Sequence, residues 1–199
     1  MLEQHLNTMP AHLVEPSPLN QTNIRNLRPQ SPTYPYAISK DFGIATFAGD
    51  AAVSGISSKL TEAYKKRWKV DSFSSYNVLT VPMHAFLDAT NLDYIDFMSV
   101  DVQGSELDLL KSMRWDIPIG YICIELEGHH PSFDNECRNI LHDQGFERIA
   151  KLHISEIYCK SSYKRKGLLF DPSSFTSISD YSLKPYAKKQ YQLVSSIFE

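Results

Sequence analysis

The sequence predicts an α/β fold whose sheet has a parallel centre and an antiparallel edge. Three observations carry that prediction. The stretch Ile95–Val100 is a short apolar run that passes Asp101, turns at Gly104 and continues with leucines at helical spacing, a buried strand feeding a helix. Residues 121–124 are apolar without alternation, as a parallel strand covered on both faces should be. After a helix at 134–144, residues 146–153 and 156–160 read as a closing antiparallel pair.

The length of 199 residues suits one domain with an appendage, divided here as 1–160 and a C-terminal extension at 161–199. An apolar content of 42% is enough for a core. A net charge of -3 argues against a general nucleic-acid binder, which needs a basic surplus. Cys123, Cys137 and Cys159 show no metal-type spacing, so no cysteine metal ligand is assigned, and they point to a reduced, cytoplasmic setting. Cys123, inside the apolar run, is expected to be a buried thiol. No apolar run approaches a membrane span, and the first residues lack the basic-then-apolar order of a signal peptide.

In chain order, residues 11–14 form a strand candidate that ends at Glu15-Pro16. Pro18 suits the first turn of a helix, with Leu19, Ile24 and Leu27 as its apolar side, and Pro29, Pro32 and Pro35 close it. Residues 36–39 read as a strand and 44–47 as its hairpin partner across the turn Asp41-Phe42-Gly43. Residues 48–75 are small and polar, with a basic patch at Lys65-Lys66-Arg67. That patch is either a solvated surface or a contact to an acidic or sugar-phosphate substrate. A strand at 77–81 and a short helix from Pro82 to Leu87 lead into the central unit. In the later helix Ile140 and Leu141 form the apolar side, and Gly145 closes it. The extension is rich in Ser, Tyr and Lys, and its aromatics argue that part of it packs.

Three constellations carry chemistry. Glu15 follows a strand, where a carboxylate can accept both hydroxyl hydrogens of a ribose, or it can favour the positive end of the next helix. In Asp101-Val102-Gln103-Gly104-Ser105-Glu106, Gly104 permits a backbone closed to other residues, Ser105 can cap the helix and Glu106 suits its first turn. Asp101 needs water, a partner or a ligand, and Gln103 could face the same cleft. Glu125, Glu127, His129 and His130 lie at the mouth of the neighbouring strand. Adjacent strands run about 4.8 Å apart, so Glu125 could approach Asp101 as part of a base or divalent-metal site.

The stretch IDFMSVDVQGSELDLLKSM resembles the signature of FkbM-type methyltransferases, an apolar strand, Asp-Val-(Glu/Gln)-Gly-(Ala/Ser)-Glu, and a leucine-bearing helix. HLVEPSP resembles that family's strand ending in Glu-Pro, and AISKDFGIATF, YICIELEG and SEIYCK resemble further strands, so the likeness runs from about residue 11 to residue 160. The resemblance implies a Rossmann-like class I sheet with antiparallel closing strands and S-adenosylmethionine as cofactor. It implies methyl transfer to a hydroxyl of a sugar, glycan or other small molecule. It implies that Glu15 holds the ribose, Ser39 flanks the adenine, and Asp101 and Gln103 line the methyl-transfer cleft. With the strand-end placement above, the expected cofactor contacts are Glu15, Ser39, Asp101 and Val102, and the expected catalytic set is Asp101, Gln103 and Glu125. The family's first strand, with an Asp-x-Gly-x-x-Gly loop, should precede HLVEP, and the ten residues before it hold no glycine. The expected sheet therefore lacks that strand. A non-catalytic binding domain of methyltransferase descent is the competing reading.

Overall fold

The computed structural model describes residues 11–49, 53–128 and 130–161. Strand β1 (Leu13–Val14) stops at Pro16, which has no N–H to donate. Helix α1 (Pro18–Leu27) starts at Ser17, whose hydroxyl accepts the Asn20 N–H. Of the expected apolar side only Ile24 turns inward. Leu19 and Leu27 are 61% and 59% exposed, whereas Asn20, Gln21 and Ile24 are buried. The reason is Glu15, because Asn20 donates to its carboxylate and Gln21 to its carbonyl oxygen.

Strand β2 (Thr33–Tyr34) pairs with β1 in parallel, and Pro35 separates it from β3 (Tyr36–Ile38). Strands β4 (Gly43–Ala48) and β5 (Gly55–Ile56) are antiparallel to each other. Helix α2 (Glu62–Trp68) is capped by Thr61, and β6 (Tyr76–Val81) and α3 (Met83–Thr90) follow. The expected hairpin between residues 36–39 and 44–47 is not formed. Strand β6 lies between β3 and β4, parallel to the first and antiparallel to the second, so the sheet runs β3-β6-β4-β5. A distant strand thus takes the partner position that the local turn suggested.

Strand β7 (Ile95–Val100) is parallel to β8 (Ile119–Glu125), with α4 (Glu106–Lys111) in the connection between them. Helix α5 (Pro131–Asp143) leads to β9 (Phe146–Leu152) and β10 (Ser155–Lys160). Their sheet runs β7-β8-β10-β9, with β10 antiparallel to both neighbours. The architecture is mixed α/β with mixed sheets, as expected in class. Among the described residues, however, the strands form three sheets rather than one. Pro16 and Pro35 account for the short first ladder, because proline breaks a run of donors.

One core spans these ladders, joining Val14 and Ile38 to Met98, Val100, Ile122 and Leu141. Ile119, Ile122 and Ile124 of β8 are almost wholly buried, each side chain contributing about 1.5–3 kcal/mol. Cys123 is only half-buried, and Cys137 of α5 is the enclosed thiol; all three cysteines are free. On β10 the buried Glu156 carboxylate meets Arg138, Arg148 and Tyr158. Burial would raise its pKa, but the hydrogen bonds from Arg138 and Tyr158 outweigh burial and hold it at about 2. Among the described residues no helix is long and apolar enough to cross a membrane. The expected extension, past Ser161, lies outside the described residues.

Candidate functional site

The register of β7 against β8 builds the centre of the site. Val100 stands opposite Ile124, so the next residues, Asp101 and Glu125, reach the C-terminal edge side by side. The Gln103 amide donates to Asp101 Oδ1 at 2.8 Å. Burial pushes the Glu125 carboxyl well up, and the Asp101 charge, a hydrogen bond with Asp101 and the nearby Glu127 push it further. Two adjacent, largely buried carboxyls repel when both are ionised, so Glu125 is driven towards its protonated form beside Asp101.

A left-handed turn follows. Gln103 has φ 46° and Gly104 φ 91°, and a Cβ on Gly104 would sit 2.7 Å from the Lys59 carbonyl oxygen. Glycine is therefore required both by the backbone and by the neighbouring loop. The Glu106 carboxylate reaches back and accepts the N–H groups of Val102 and Gly104, each at 3.2 Å. Burial raises its pKa to about 7 even so. The expected Ser105 cap is not formed. Its backbone, at φ -102° and ψ 7°, is not the extended form of a capping residue, and Glu106 ties the turn instead. The Ser105 hydroxyl is buried without a hydrogen-bond partner.

Residues of this turn face two clefts. Asp101, Gln103, Gly104 and Glu106 line the first, which encloses about 550 Å³, part of it open to solvent. Its other walls include Lys59 and Tyr64 on one side, and Glu125, Glu127 and Phe133 on the other. Val102 and Ser105 line the second, about 320 Å³, together with Val14, Pro16, Ile38 and Phe47. The first cleft is rich in carboxyls and the second is mostly apolar.

The sequence-derived residues divide accordingly. Asp101, Gln103 and Glu125 meet in the first cleft, and Val102 faces the second. Glu15 is fully enclosed beside Pro16, which lines the second cleft. Its oxygens accept the Ser17 N–H at 2.5 Å and the Asn20 amide at 3.4 Å. Burial raises its pKa to about 8 despite those bonds. Ser39 lines neither cleft, and its N–H is held by the Val81 carbonyl. His130 lines the first cleft and stacks on Phe133 at 5.1 Å, while His129 lies outside the described residues. The basic patch is on the surface of α2, where Lys65 pairs with Glu62 and Arg67 lies over Trp68. Among the described residues no group of three or more His, Cys, Asp and Glu side chains could hold a metal ion.

The sequence reading missed Lys59, Leu60 and Tyr64, which form a wall of the first cleft, and Ser54 in the second. Thr61 followed by Glu62 was the available signal, because it starts helix α2 inside the stretch read as small and polar. Two close approaches bring that loop onto the turn. Lys59 meets Gly104, and a Cβ on Gly55 would lie 3.0 Å from Gln103 Cβ.

A family model described as the methyltransferase FkbM domain matches residues 5–148. No curated protein and no solved structure gives a significant match.

Proposed function

The chain belongs to the FkbM methyltransferase domain family, and from that premise we propose that it is an S-adenosylmethionine-dependent methyltransferase acting on a hydroxyl oxygen of a sugar or other small molecule. The observation that carries this reading is the Asp101–Glu125 pair, set side by side by strand register within a solvent-open cleft.

The residues fit a nucleoside cofactor. The second cleft offers apolar walls from Val14, Ile38, Phe47 and Val102, suited to the face of an aromatic base. Its buried Ser105 hydroxyl has no partner, and a polar atom of a ligand would satisfy it. Val102 and Ser105 would hold the nucleoside; Glu15, enclosed behind that wall with its oxygens engaged by Ser17 and Asn20, would accept ribose hydroxyls only after the Asn20 amide swings aside. When bound, the cofactor supplies an electrophilic methyl group.

The chain's own residues supply the rest. In the first cleft an acceptor hydroxyl can donate to Asp101, whose orientation Gln103 fixes through its 2.8 Å hydrogen bond. Asp101 takes the hydroxyl proton as the oxygen forms its new bond, a general-base role. Glu125 tunes that basicity by sharing its proton with Asp101. Glu106 and Gly104 hold the turn, so positioning carries much of the rate.

One observation favours the second reading, a non-catalytic domain. Glu15 is closed in by its own helix, as a purely structural carboxylate would be. Calorimetry of the full chain with S-adenosylmethionine and S-adenosylhomocysteine separates the two. Saturable binding is expected; absence of binding at millimolar ligand would sink the enzyme reading. In a folded Glu15→Ala variant, binding should weaken by about 0.5–1.5 kcal/mol, as when a hydrogen bond to a neutral group is lost.

A further inference from the structure

The walls of the first cleft are charged unevenly. Asp101, Glu106, Glu125, Glu127 and Asp134 all line it. Some of these have tasks within the fold, since Glu106 ties the turn and Asp134 accepts the Gly128 N–H at 2.9 Å. The cationic side of the ledger is thin. The Lys59 ammonium is engaged by Asp108 at 2.6 Å. The basic residues Lys65, Lys66 and Arg67 do not line the cleft. At its mouth Phe133 is 45% exposed, and His130 braces its ring at 5.1 Å with an interplanar angle of 21°.

A cleft of this make-up repels phosphate and carboxylate groups, because each would enter beside Glu127, Asp134 and an Asp101–Glu125 pair that keeps one negative charge. It attracts ammonium groups by the same field, and an exposed aromatic face adds a cation–π surface. It also offers acceptors to hydroxyl hydrogens. We propose that the acceptor is an amino-bearing hydroxyl compound of the hexosamine or amino-alcohol class, with its ammonium held between the Glu127 carboxylate and the Phe133 ring. The inference rests on the methyl-transfer reading for the identity of the cleft, and it narrows that reading to one charge class. It removes the sugar-phosphate class that the basic patch had left open.

The test uses the full chain, with and without S-adenosylhomocysteine, and four probes built on one ring: glucosamine, N-acetylglucosamine, glucose and glucose 6-phosphate. Affinities are read by calorimetry or ligand-observed NMR. Glucosamine should bind about tenfold more tightly than the two neutral sugars, and glucose 6-phosphate should bind most weakly. The amine preference should shrink between low and high salt as the field is screened. Glu127→Gln, in the loop after β8, should lower the glucosamine preference by about fivefold with little change for glucose. The acetylated probe gives the same comparison with no substitution at all.

Equal binding of glucosamine and N-acetylglucosamine overturns the inference, as does tighter binding of the phosphate or no binding of any sugar. Nucleoside binding without amine preference leaves the methyl-transfer reading standing and removes this one. Amine preference without nucleoside binding removes the methyl-transfer reading and supports the charge selection by the cleft.

Discussion

Glu15 and Asp101 are both carboxylates placed just past the C-terminal end of a strand, and the fold treats them in opposite ways. After Glu15 the chain enters helix α1 within three residues, and the first amides of that helix close over the carboxylate. After Asp101 the chain turns through two left-handed residues, Gln103 and Gly104, before helix α4 begins. That detour turns the helix start away, and Asp101 is left facing a cleft with Glu125 beside it. A strand-end carboxylate is thus not a site by position alone. The residues that follow decide whether it is consumed by its own helix or presented to a ligand.

The strongest way to break this contrast is Asp101→Asn, which keeps shape and removes the base. Methyl transfer should fall by about 100-fold or more, the usual cost of losing a general base. Urea denaturation should show little loss of stability. A variant that unfolds readily but turns over normally would make Asp101 a structural carboxylate.

Gly104→Ala tests the detour itself. A side chain at φ 91°, aimed at the Lys59 carbonyl 2.7 Å away, should cost about 1–3 kcal/mol in denaturant midpoint and should also depress the rate. An alanine variant as stable and active as the parent would mean that the turn has other conformations open to it.

The contrast also has a pH signature. Glu15 titrates at about 8 in the fold against 4.5 ordinarily, because burial disfavours its charged form. Between those values the folded state keeps a proton that the unfolded chain has lost. Stability therefore declines as pH rises through that window and levels off above it. Glu106, raised to about 7 by burial, adds a slope of the same sign. Denaturation midpoints of Glu15→Gln from pH 5 to pH 8 should show a flatter decline than the parent. An unchanged slope would show that Glu15 is not the enclosed acid described above.

Ser105→Ala should have the smallest effect and sharpens the cofactor side. Removing a buried hydroxyl without a partner should leave stability unchanged or raise it by up to about 1 kcal/mol. Nucleoside affinity should fall by about threefold to tenfold if that hydroxyl meets the ligand. Unchanged affinity would separate the second cleft from cofactor binding.

Much of this was legible locally. An apolar run, an acid, a glycine and leucines at helical spacing announced β7, the turn and α4, because strand, turn and helix each follow from neighbours within a few residues. The same holds for α5 and the closing pair β9 and β10. Helix α1 follows the sequence in extent but only partly in facing, since Ile24 packs on Leu13 while Asn20 and Gln21 turn inward to Glu15.

The sequence by itself determined the mixed α/β class, the strand–turn–helix unit at its centre, the methyltransferase family and the placement of acids at strand ends. Those are properties of short windows, where period, proline, glycine and charge act on adjacent residues. Only the tertiary structure decided that β6 displaces the expected hairpin partner, that Glu125 stands beside Asp101 and that Glu15 is enclosed. It also decided that Lys59 and Tyr64 face the acids across a cleft. Each of these depends on which distant segments meet, and that is set by the shared core joining the ladders, which no single stretch of the chain encodes.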